Sequence, residues 1–387
     1  KANGSVRPCC VFENPILDQQ GNELDLADNK EFSVDKIYFS PTMQNLRQDF
    51  REGKFNTGCS KCWKEEHIGK RSDRMLYNWA MRDKIYDIDY ESESLDNVVS
   101  LDLKLGNLCN LSCRICSARE SSSIASEVLS NLPQGIDKKT HPAYTLLRKG
   151  RWPETQKFFW SEITKLLPNL VYCQFAGGEP LLLPHHFEML QKAIDLGYSK
   201  KITLRYNTNA TQCPEHVFDL WKEFALVHLD LSIDDIGSRF EYQRNGAKWQ
   251  DVQQNVEKFN KVRSSKIKTQ MSTAINILNV LYLPEICDWY DTQNFDSLWL
   301  NVVWGPSELC VANMTAEAKE LVLEKLCNWD FKQHQWQVDP VIELLRNGQT
   351  VDNTAFVEKI KKLDRLRNQD LALAHQEIAN AMGYVLQ

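Results

Sequence analysis

Three cysteines lie in the short segment Cys109-Asn-Leu-Ser-Cys113-Arg-Ile-Cys116. Thiolates with this close spacing bind iron–sulfur clusters or zinc. Three thiolates leave one iron of a four-iron cluster without a protein ligand, so that iron can bind a further molecule. A zinc site usually has a fourth Cys or His nearby, and the residues between these cysteines offer neither. The spacing therefore favours a [4Fe–4S] cluster with an open iron, and zinc is the alternative.

Glycine-rich or polar segments follow later strands of the expected sheet. Gly177-Gly178-Glu179-Pro180 follows the second strand, Asn209 the third, and Ser232 and Asp234 the fourth. Glycines let a ligand approach the backbone closely, and Glu179 suits an ammonium group. Since sites in parallel α/β folds collect at the C-terminal ends of strands, we expect these residues to lie near the cysteines. Each segment alone is also typical of a solvated turn or a polar cap.

These parts together resemble the radical S-adenosylmethionine (SAM) superfamily over residues 98 to 306. C-x3-C-x2-C after a first strand is the signature of that family, and Gly177–Pro180 is similar to its GGEP motif. The resemblance implies that Cys109, Cys113 and Cys116 hold a [4Fe–4S] cluster that chelates SAM. It also implies that Gly177–Pro180 grips the amino group of SAM, and that the fold is a partial (β/α)6 barrel.

The polar strand ends have counterparts in the same family. Strand ends similar to Asn209, Ser232 and Asp234 contact the ribose and carboxylate of SAM there, and Ser232 is the best match. Arg244 resembles an arginine that pairs with the SAM carboxylate, and Arg239 could take its place. The SAM-binding set that the resemblance implies is Gly177, Gly178, Glu179, Pro180, Asn209, Ser232, Asp234 and Arg244.

Two cysteine groups precede the triad, Gly4-Ser-Val-Arg-Pro-Cys9 and Cys59-Ser-Lys-Cys62. They are similar to the parts of twitch and SPASM modules that bind an auxiliary [4Fe–4S] cluster, which implies Cys9, Cys59 and Cys62 as ligands. In relatives this module follows the barrel, whereas here it precedes it. Three possibilities remain for the fourth ligand: an upstream cysteine, Cys10, or no protein ligand. A zinc knuckle with His67 as a spare ligand is the alternative.

The elements that position these residues alternate in type along the chain. Six apolar runs of strand length are 98–107, 170–175, 201–206, 226–233, 267–277 and 297–303. Amphipathic runs of helix length lie between them at 185–196, 215–224 and 249–262. The alternation predicts an α/β fold with right-handed βαβ units and a parallel sheet, open or curled into a partial barrel. Asn276, inside an apolar run, predicts a buried polar role.

Changes of pattern predict three domains. Residues 1–95 are expected to form a small twitch-like auxiliary cluster module, 96–310 the partial barrel, and 311–387 a helical C-terminal extension. The long segment 117–170, with Trp152 and Trp160, is a candidate cover over the site. The isolated cysteines are expected to be small buried hydrophobic residues; they are Cys173, Cys213, Cys287, Cys310 and Cys327.

Composition narrows the possible partners. The net charge is −6 and neither sign forms a long block, which disfavours nucleic acid. No apolar run reaches the length of about 18 residues that a membrane helix needs, so we expect no membrane partner. Most of the 12 cysteines fall in short-spaced groups, which indicates metal or redox chemistry in a reducing compartment. We therefore expect a cytoplasmic protein.

The resemblance implies an enzyme that reductively cleaves SAM to a 5′-deoxyadenosyl radical, which abstracts a hydrogen atom from a small molecule or a peptide. An auxiliary cluster favours a net oxidation, either a dehydrogenation or a cross-link, and electrons would come from a reductant such as flavodoxin or ferredoxin. No winged-helix leader-binding unit is visible in the sequence, which favours a small molecule. The alternative is a non-catalytic iron–sulfur protein for redox sensing or electron transfer, which would have no use for a SAM site.

Overall fold

The computed structural model describes residues 1–28, 33–67, 69, 71–85, 88–89, 91–348 and 350–384. The chain divides into two compact units. Unit 1 comprises Lys1–Cys109, Ala118–Tyr206 and His216–Val227, and unit 2 comprises Asn110–Ser117, Asn207–Glu215 and His228–Gln387. The expected domain boundaries at residues 95 and 310 stay a prediction.

The strands confirm the six expected runs, with ends that differ by a few residues. They are β1 Ser100–Lys104, β2 Ser112–Cys113, β3 Tyr172–Ala176, β4 Thr203–Thr208, β5 Leu226–Ser232, β6 Arg244–Asn245, β7 Ile267–Ile275 and β8 Ser297–Val302. The two-residue strands β2 and β6 were not expected, because so short a pair has no periodicity to detect.

The helices account for most of the remaining regular structure. They are α1 Val34–Tyr38, α2 Pro41–Arg51, α3 Ser60–His67, α4 Asp73–Ala80, α5 Arg82–Ile85, α6 Ser122–Ser130, α7 Pro142–Lys149, α8 Trp152–Thr155, α9 Lys157–Thr164, α10 His185–Asp195, α11 Phe218–Lys222, α12 Gly237–Gln243, α13 Trp249–Lys261, α14 Leu283–Thr292, α15 Ala316–Cys327, α16 Gln335–Asn347, α17 Thr354–Arg367, α18 Leu371–Ala374 and α19 Gln376–Ala381. No helix within the described ranges is long and apolar enough to cross a lipid bilayer.

Unit 1 contains the parallel strands β1 and β3 and most of β4, in that order. Leu103 lies opposite Phe175 on the neighbouring strand, and Phe175 lies opposite Tyr206 on the next. The rings of Phe175 and Tyr206 stack with centroids 4.9 Å apart. Trp152, considered above as part of a cover, is buried in the core and packs edge-on against Phe159 at 4.7 Å.

Unit 2 contains most of β5 together with β7 and β8, in the order β5-β7-β8. Alternate residues of β7 are buried along its whole length, as expected for a strand covered on one face, and β7 pairs in parallel with β8. Helix α13 buries Val252, Val256 and Phe259, whose spacing places them on one face. Parallel strands thus alternate with helices in both units, which confirms the expected α/β class.

Candidate functional site

One cavity of about 400 Å³ in unit 1 is lined by Cys9, Cys59 and Cys62, the expected auxiliary ligands, and also by Cys10. Cys59 ends a short 3-10 turn and Cys62 lies one turn further along α3, so both thiols lie on the same side of the helix. The Asn56 side chain accepts a hydrogen bond from the Gly58 amide at 2.9 Å and fixes the start of this turn. The structure therefore brings the N-terminal cysteines together, although they are about 50 residues apart in the sequence.

Gly58 allows the loop that carries Cys9 to contact the turn that carries Cys59. A Cβ atom at position 58 would overlap the ring of Phe12, three residues after Cys9. The Glu13 amide donates to the Gly58 carbonyl at 3.2 Å, and the Ser60 hydroxyl donates to the Glu13 carboxylate at 2.6 Å. Close packing and two hydrogen bonds thus hold the two cysteine segments in register.

Two thiols of this cavity, those of Cys59 and Cys10, have raised pKa values. Burial raises the pKa of Cys59 to about 11, and the neighbouring Cys9 and Cys62 add to that rise. Burial also raises the pKa of Cys10 to about 11, and Asp102 is the next largest cause. Metal ligands must be thiolates, so iron that binds here would displace protons.

The cavity suits a cluster better than a single zinc ion. His67, the spare ligand of the zinc alternative, is not among the residues that line the cavity. Within the part of the chain that the structure describes, no three Cys, His, Asp or Glu side chains come close enough to hold one metal ion. A four-iron cluster separates its thiolates more widely than one ion does. The donor set and the space therefore fit an iron–sulfur cluster.

Cys109, the first cysteine of the triad, is held in unit 1 by the start of α6. Its amide donates to the Ser122 hydroxyl at 3.0 Å, and its carbonyl accepts from the Ser123 hydroxyl at 2.7 Å. Ser121 caps the same helix by accepting from the Ile124 amide at 3.2 Å. Sequence reasoning missed this serine cluster, although a serine before an apolar helical run is a recognisable helix-start signal.

The Gly177–Pro180 turn packs directly on the residue before Cys109. Gly178 has a left-handed backbone conformation with φ +54°, and a Cβ atom there would overlap the carbonyl oxygen of Leu108. That same oxygen accepts a hydrogen bond from the Glu179 amide at 2.7 Å. Glu179 is only 1% exposed, and its carboxylate accepts from the Leu181 amide at 3.1 Å. Unit 1 therefore brings the glycine turn and the start of the cysteine loop together.

Cys113 and Cys116 lie in unit 2 and are half-buried. Cys113 pairs with Arg244 in the antiparallel β2–β6 ladder, and the Cys116 amide donates to the Cys113 carbonyl at 3.2 Å. Asn110 lies in the same loop as these cysteines, and its side chain accepts a hydrogen bond from the Asn209 side chain at 3.0 Å. In this structure Asn209 thus supports the cysteine loop, and its contact with SAM stays a prediction.

Arg244 forms an ion pair with Asp234, another residue expected to contact SAM. The guanidinium donates to one Asp234 oxygen at 2.9 and 2.8 Å, and the other oxygen accepts from the Ala274 amide at 2.9 Å. Ser232 is half-buried at the end of β5. Unit 2 places Arg244 and Asp234 together, and the SAM contacts of all three residues stay predictions.

Asp235 and Asn276 extend this buried polar group. Burial raises the pKa of Asp235 to about 7, although Arg239 opposes the rise. Gln243 donates to the Asp235 carboxylate at 3.0 Å and accepts from the Asn276 amide nitrogen at 3.1 Å. Asn276 is fully buried and hydrogen-bonded, which confirms its expected role, and it lies just after β7 instead of inside the strand.

Family models match two parts of the chain. The Radical SAM superfamily model matches residues 103–289, and the model of the SPASM iron–sulfur cluster-binding domain matches residues 1–63. No curated protein matches the chain.

Solved structures similar to the chain include native anSMEcpe with bound AdoMet, which is 18% identical over 59% of this chain and 59% of that chain, with a TM-score of 0.41. Streptococcus suis SuiB bound to S-adenosylmethionine is 14% identical over 84% of this chain and 67% of that chain, with a TM-score of 0.39. SuiB bound to the precursor peptide SuiA is 16% identical over 63% and 52%, with a TM-score of 0.35. The match thus spans about three fifths of the length of anSMEcpe.

The two family models together cover more than half of the chain. The cofactors that these domains imply are SAM with its [4Fe–4S] cluster and an auxiliary iron–sulfur cluster, as expected from the motifs. Residues 103–289 therefore match the radical SAM superfamily, and residues 1–63, ahead of them, match its SPASM iron–sulfur cluster-binding domain, as the motifs predicted.

Proposed function

We propose that this chain is an enzyme that reductively cleaves SAM, abstracts a hydrogen atom from a small molecule or a peptide, and oxidises that substrate overall. The observation that carries the proposal is the packing of Gly178 and Glu179 on Leu108, next to Cys109. This turn sets a glycine backbone and a buried carboxylate beside a predicted cluster ligand. An electron-transfer protein needs a cluster but no such turn, so the packing favours an enzyme.

When bound, the cluster and SAM supply one-electron cleavage of SAM to methionine and a 5′-deoxyadenosyl radical that removes hydrogen from an unreactive carbon. Cys109, Cys113 and Cys116 would hold three of the irons. Gly177 and Gly178 have positive φ values and no side chain, so the backbone there would be able to come close to the amino group of SAM, and Glu179 would accept from it. Asp234 keeps the Arg244 guanidinium in one orientation through two hydrogen bonds.

A net oxidation balances if the substrate loses a hydrogen atom to the 5′-deoxyadenosyl radical, which becomes 5′-deoxyadenosine, and then loses one further electron and a proton. Cys9, Cys59 and Cys62 would hold an auxiliary cluster, which can supply the acceptor for that second electron. The electron that starts the reaction would come from a reductant of the flavodoxin or ferredoxin class. Such clusters require a reducing compartment, and we propose the cytoplasm.

The test measures iron and acid-labile sulfide in the anaerobically reconstituted chain, together with its electron paramagnetic resonance spectrum. We expect about eight irons per chain, falling to about four when Cys109, Cys113 and Cys116 are all changed to Ala. Formation of 5′-deoxyadenosine from SAM and dithionite should be lost in that variant. It should persist when Cys9, Cys59 and Cys62 are changed instead. Cys287→Ala, at a buried and isolated cysteine, is the matched control.

The outcomes separate the proposal from its alternative. A wild-type chain that contains iron but neither binds SAM in equilibrium dialysis nor forms 5′-deoxyadenosine would be a non-catalytic iron–sulfur protein. If wild type contains about four irons and loses them only when the triad is changed, the SAM chemistry is retained, but the chain has no auxiliary cluster and the proposed net oxidation is not supported.

A further inference from the structure

Arg114 lies between Cys113 and Cys116, yet its side chain is fully buried in unit 2 while the two cysteines are half-buried. A charged side chain with no exposure requires a partner. The partner is Asp364 of α17, which lies 250 positions further along the chain, in a region that neither family model matches. We propose that Asp364, acting through Arg114, positions the cysteine loop and thereby its cluster. The inference rests on the proposed function of that loop.

The contacts of Arg114 leave its guanidinium little freedom. Its Nη2 atom donates to Asp364 at 2.5 Å and to the Gln369 side chain at 2.9 Å, and its Nε atom donates to the Tyr242 carbonyl at 2.9 Å. The guanidinium also lies over the Tyr242 ring, 3.6 Å from its centroid. Donors at several points of a planar group fix its orientation as well as its position.

Asp364 is itself held by groups from several elements. Its carboxylate accepts from the Tyr242 hydroxyl at 2.9 Å, the Tyr384 hydroxyl at 2.5 Å and the Leu371 amide at 2.9 Å. Helix α17 ends at Arg367, and Asn368 then adopts a left-handed conformation with φ 50° that brings Gln369 back toward Arg114. The C-terminal region thus offers a fixed acceptor for the arginine.

The backbone of the loop is attached at the same place. The Arg114 amide donates to the Gln243 carbonyl at 2.9 Å, next to the pairing of Cys113 with Arg244. Anchoring of both the backbone and the side chain at residue 114 constrains the cysteines on either side of it. Groups that orient metal ligands in this way commonly change metal affinity or activity by about 10- to 100-fold when they are removed.

The experiment compares full-length wild type with Asp364→Asn, which keeps the shape of the side chain and removes its charge. The matched control is Gln337→Met. Gln337 is also buried in the C-terminal region, but its side chain bonds the Leu300 amide at 2.9 Å and the Leu298 carbonyl at 3.1 Å, away from the cysteine loop. Hydrogen exchange of segment 110–117 is followed in the metal-free and the iron-loaded chain, with the melting temperature and the rate of iron release to a chelator.

We expect segment 110–117 to exchange, and iron bound by the triad to be released, about tenfold faster in Asp364→Asn and at the wild-type rate in Gln337→Met. Equal loss of melting temperature in both variants, with wild-type exchange in 110–117, would overturn the proposal. If Asp364→Asn does not fold, Gln369→Ala replaces it, because this change removes only the neutral acceptor of Arg114. It should raise the exchange rate of segment 110–117 by roughly threefold, and an unchanged rate would also overturn the proposal. Hydrogen exchange in the metal-free chain tests the anchoring of residue 114 even if the triad binds no iron. Failure of this inference can therefore be distinguished from failure of the proposed function.

Discussion

The two units position their candidate site residues by different physical means. In unit 1 hydrogen bonds are combined with two close steric contacts: Gly58 fits against Phe12, and Gly178 fits against Leu108, with no room for a side chain at either glycine. In unit 2 the contacts are between buried charges, as in the pairs Arg114–Asp364 and Arg244–Asp234. A methyl group added to a close steric contact forces the backbone to shift, whereas the loss of one member of a hydrogen-bond network leaves its other bonds in place. Substitutions at these glycines and at the buried carboxylate Asp235 test that contrast.

The largest effect is expected for Gly178→Ala. The new methyl group would overlap the Leu108 carbonyl oxygen, and the residue would also be strained at φ +54°. The turn must then move away from the start of the cysteine loop. A misplacement of about 1 Å can lower a rate by about 100-fold, so we expect a loss of at least that size in 5′-deoxyadenosine formation.

Gly197→Ala is the matched control for that change. Gly197 also has a positive φ, +79°, but a Cβ atom there would meet nothing within 4 Å. It should lower stability by about 1 kcal/mol through backbone strain and leave SAM cleavage unchanged. Equal losses of activity in both variants would mean that backbone strain, and not the contact with Leu108, is responsible.

The next effect is expected for Gly58→Ala in the auxiliary cavity. The methyl group would overlap the Phe12 ring and separate the segments that carry Cys9 and Cys59. We expect iron to fall from about eight to about four per chain while SAM cleavage with dithionite persists. The measurement is iron content together with the spectrum of the remaining cluster.

A smaller ring should relieve that clash. Phe12→Leu combined with Gly58→Ala is expected to restore part of the lost iron, because it returns space at the contact. If the double variant binds no more iron than Gly58→Ala alone, the steric explanation for this site is wrong.

The sequence predicted the elements of this fold well, because their signals are local. Alternating apolar residues located all six long strands to within a few residues, and the cysteine and glycine motifs marked the loops between them. Cys173, Cys287 and Cys310 are buried as expected, and Cys213 is half-buried. Cys327 was expected to be buried and is exposed, because it ends α15 and its sulfur accepts from Arg346 at 3.2 Å.

The charge network of unit 2 could not be predicted in the same way. Asp364 lies within a charged helical stretch, where an acidic residue usually faces solvent, and its partner Arg114 is 250 positions away. Nor does the sequence show that Asp234 pairs with Arg244 or that Asn209 supports Asn110. These pairs depend on which elements the fold brings together, and a single sequence contains no signal for that.

The smallest effect is expected from Asp235, a buried carboxylate of unit 2. It should make the stability of the chain depend on pH, whereas the steric contacts of unit 1 should not. Burial raises its pKa in the folded chain to about 7, far above the value of an exposed carboxyl. The folded state therefore binds more protons than the unfolded state between these two values, and stability falls as pH rises through this range. The amide side chain of the variant Asp235→Asn cannot ionise. The free energy of unfolding of this variant, relative to that of wild type, should therefore rise by roughly 1 to 3 kcal/mol as the pH is raised from 4 to 7.5. Urea unfolding at both pH values measures this difference, and Asp219→Asn, at an exposed position, is the control. If the difference in stability between Asp235→Asn and wild type is the same at both pH values, Arg239 and Gln243 keep Asp235 ionised throughout.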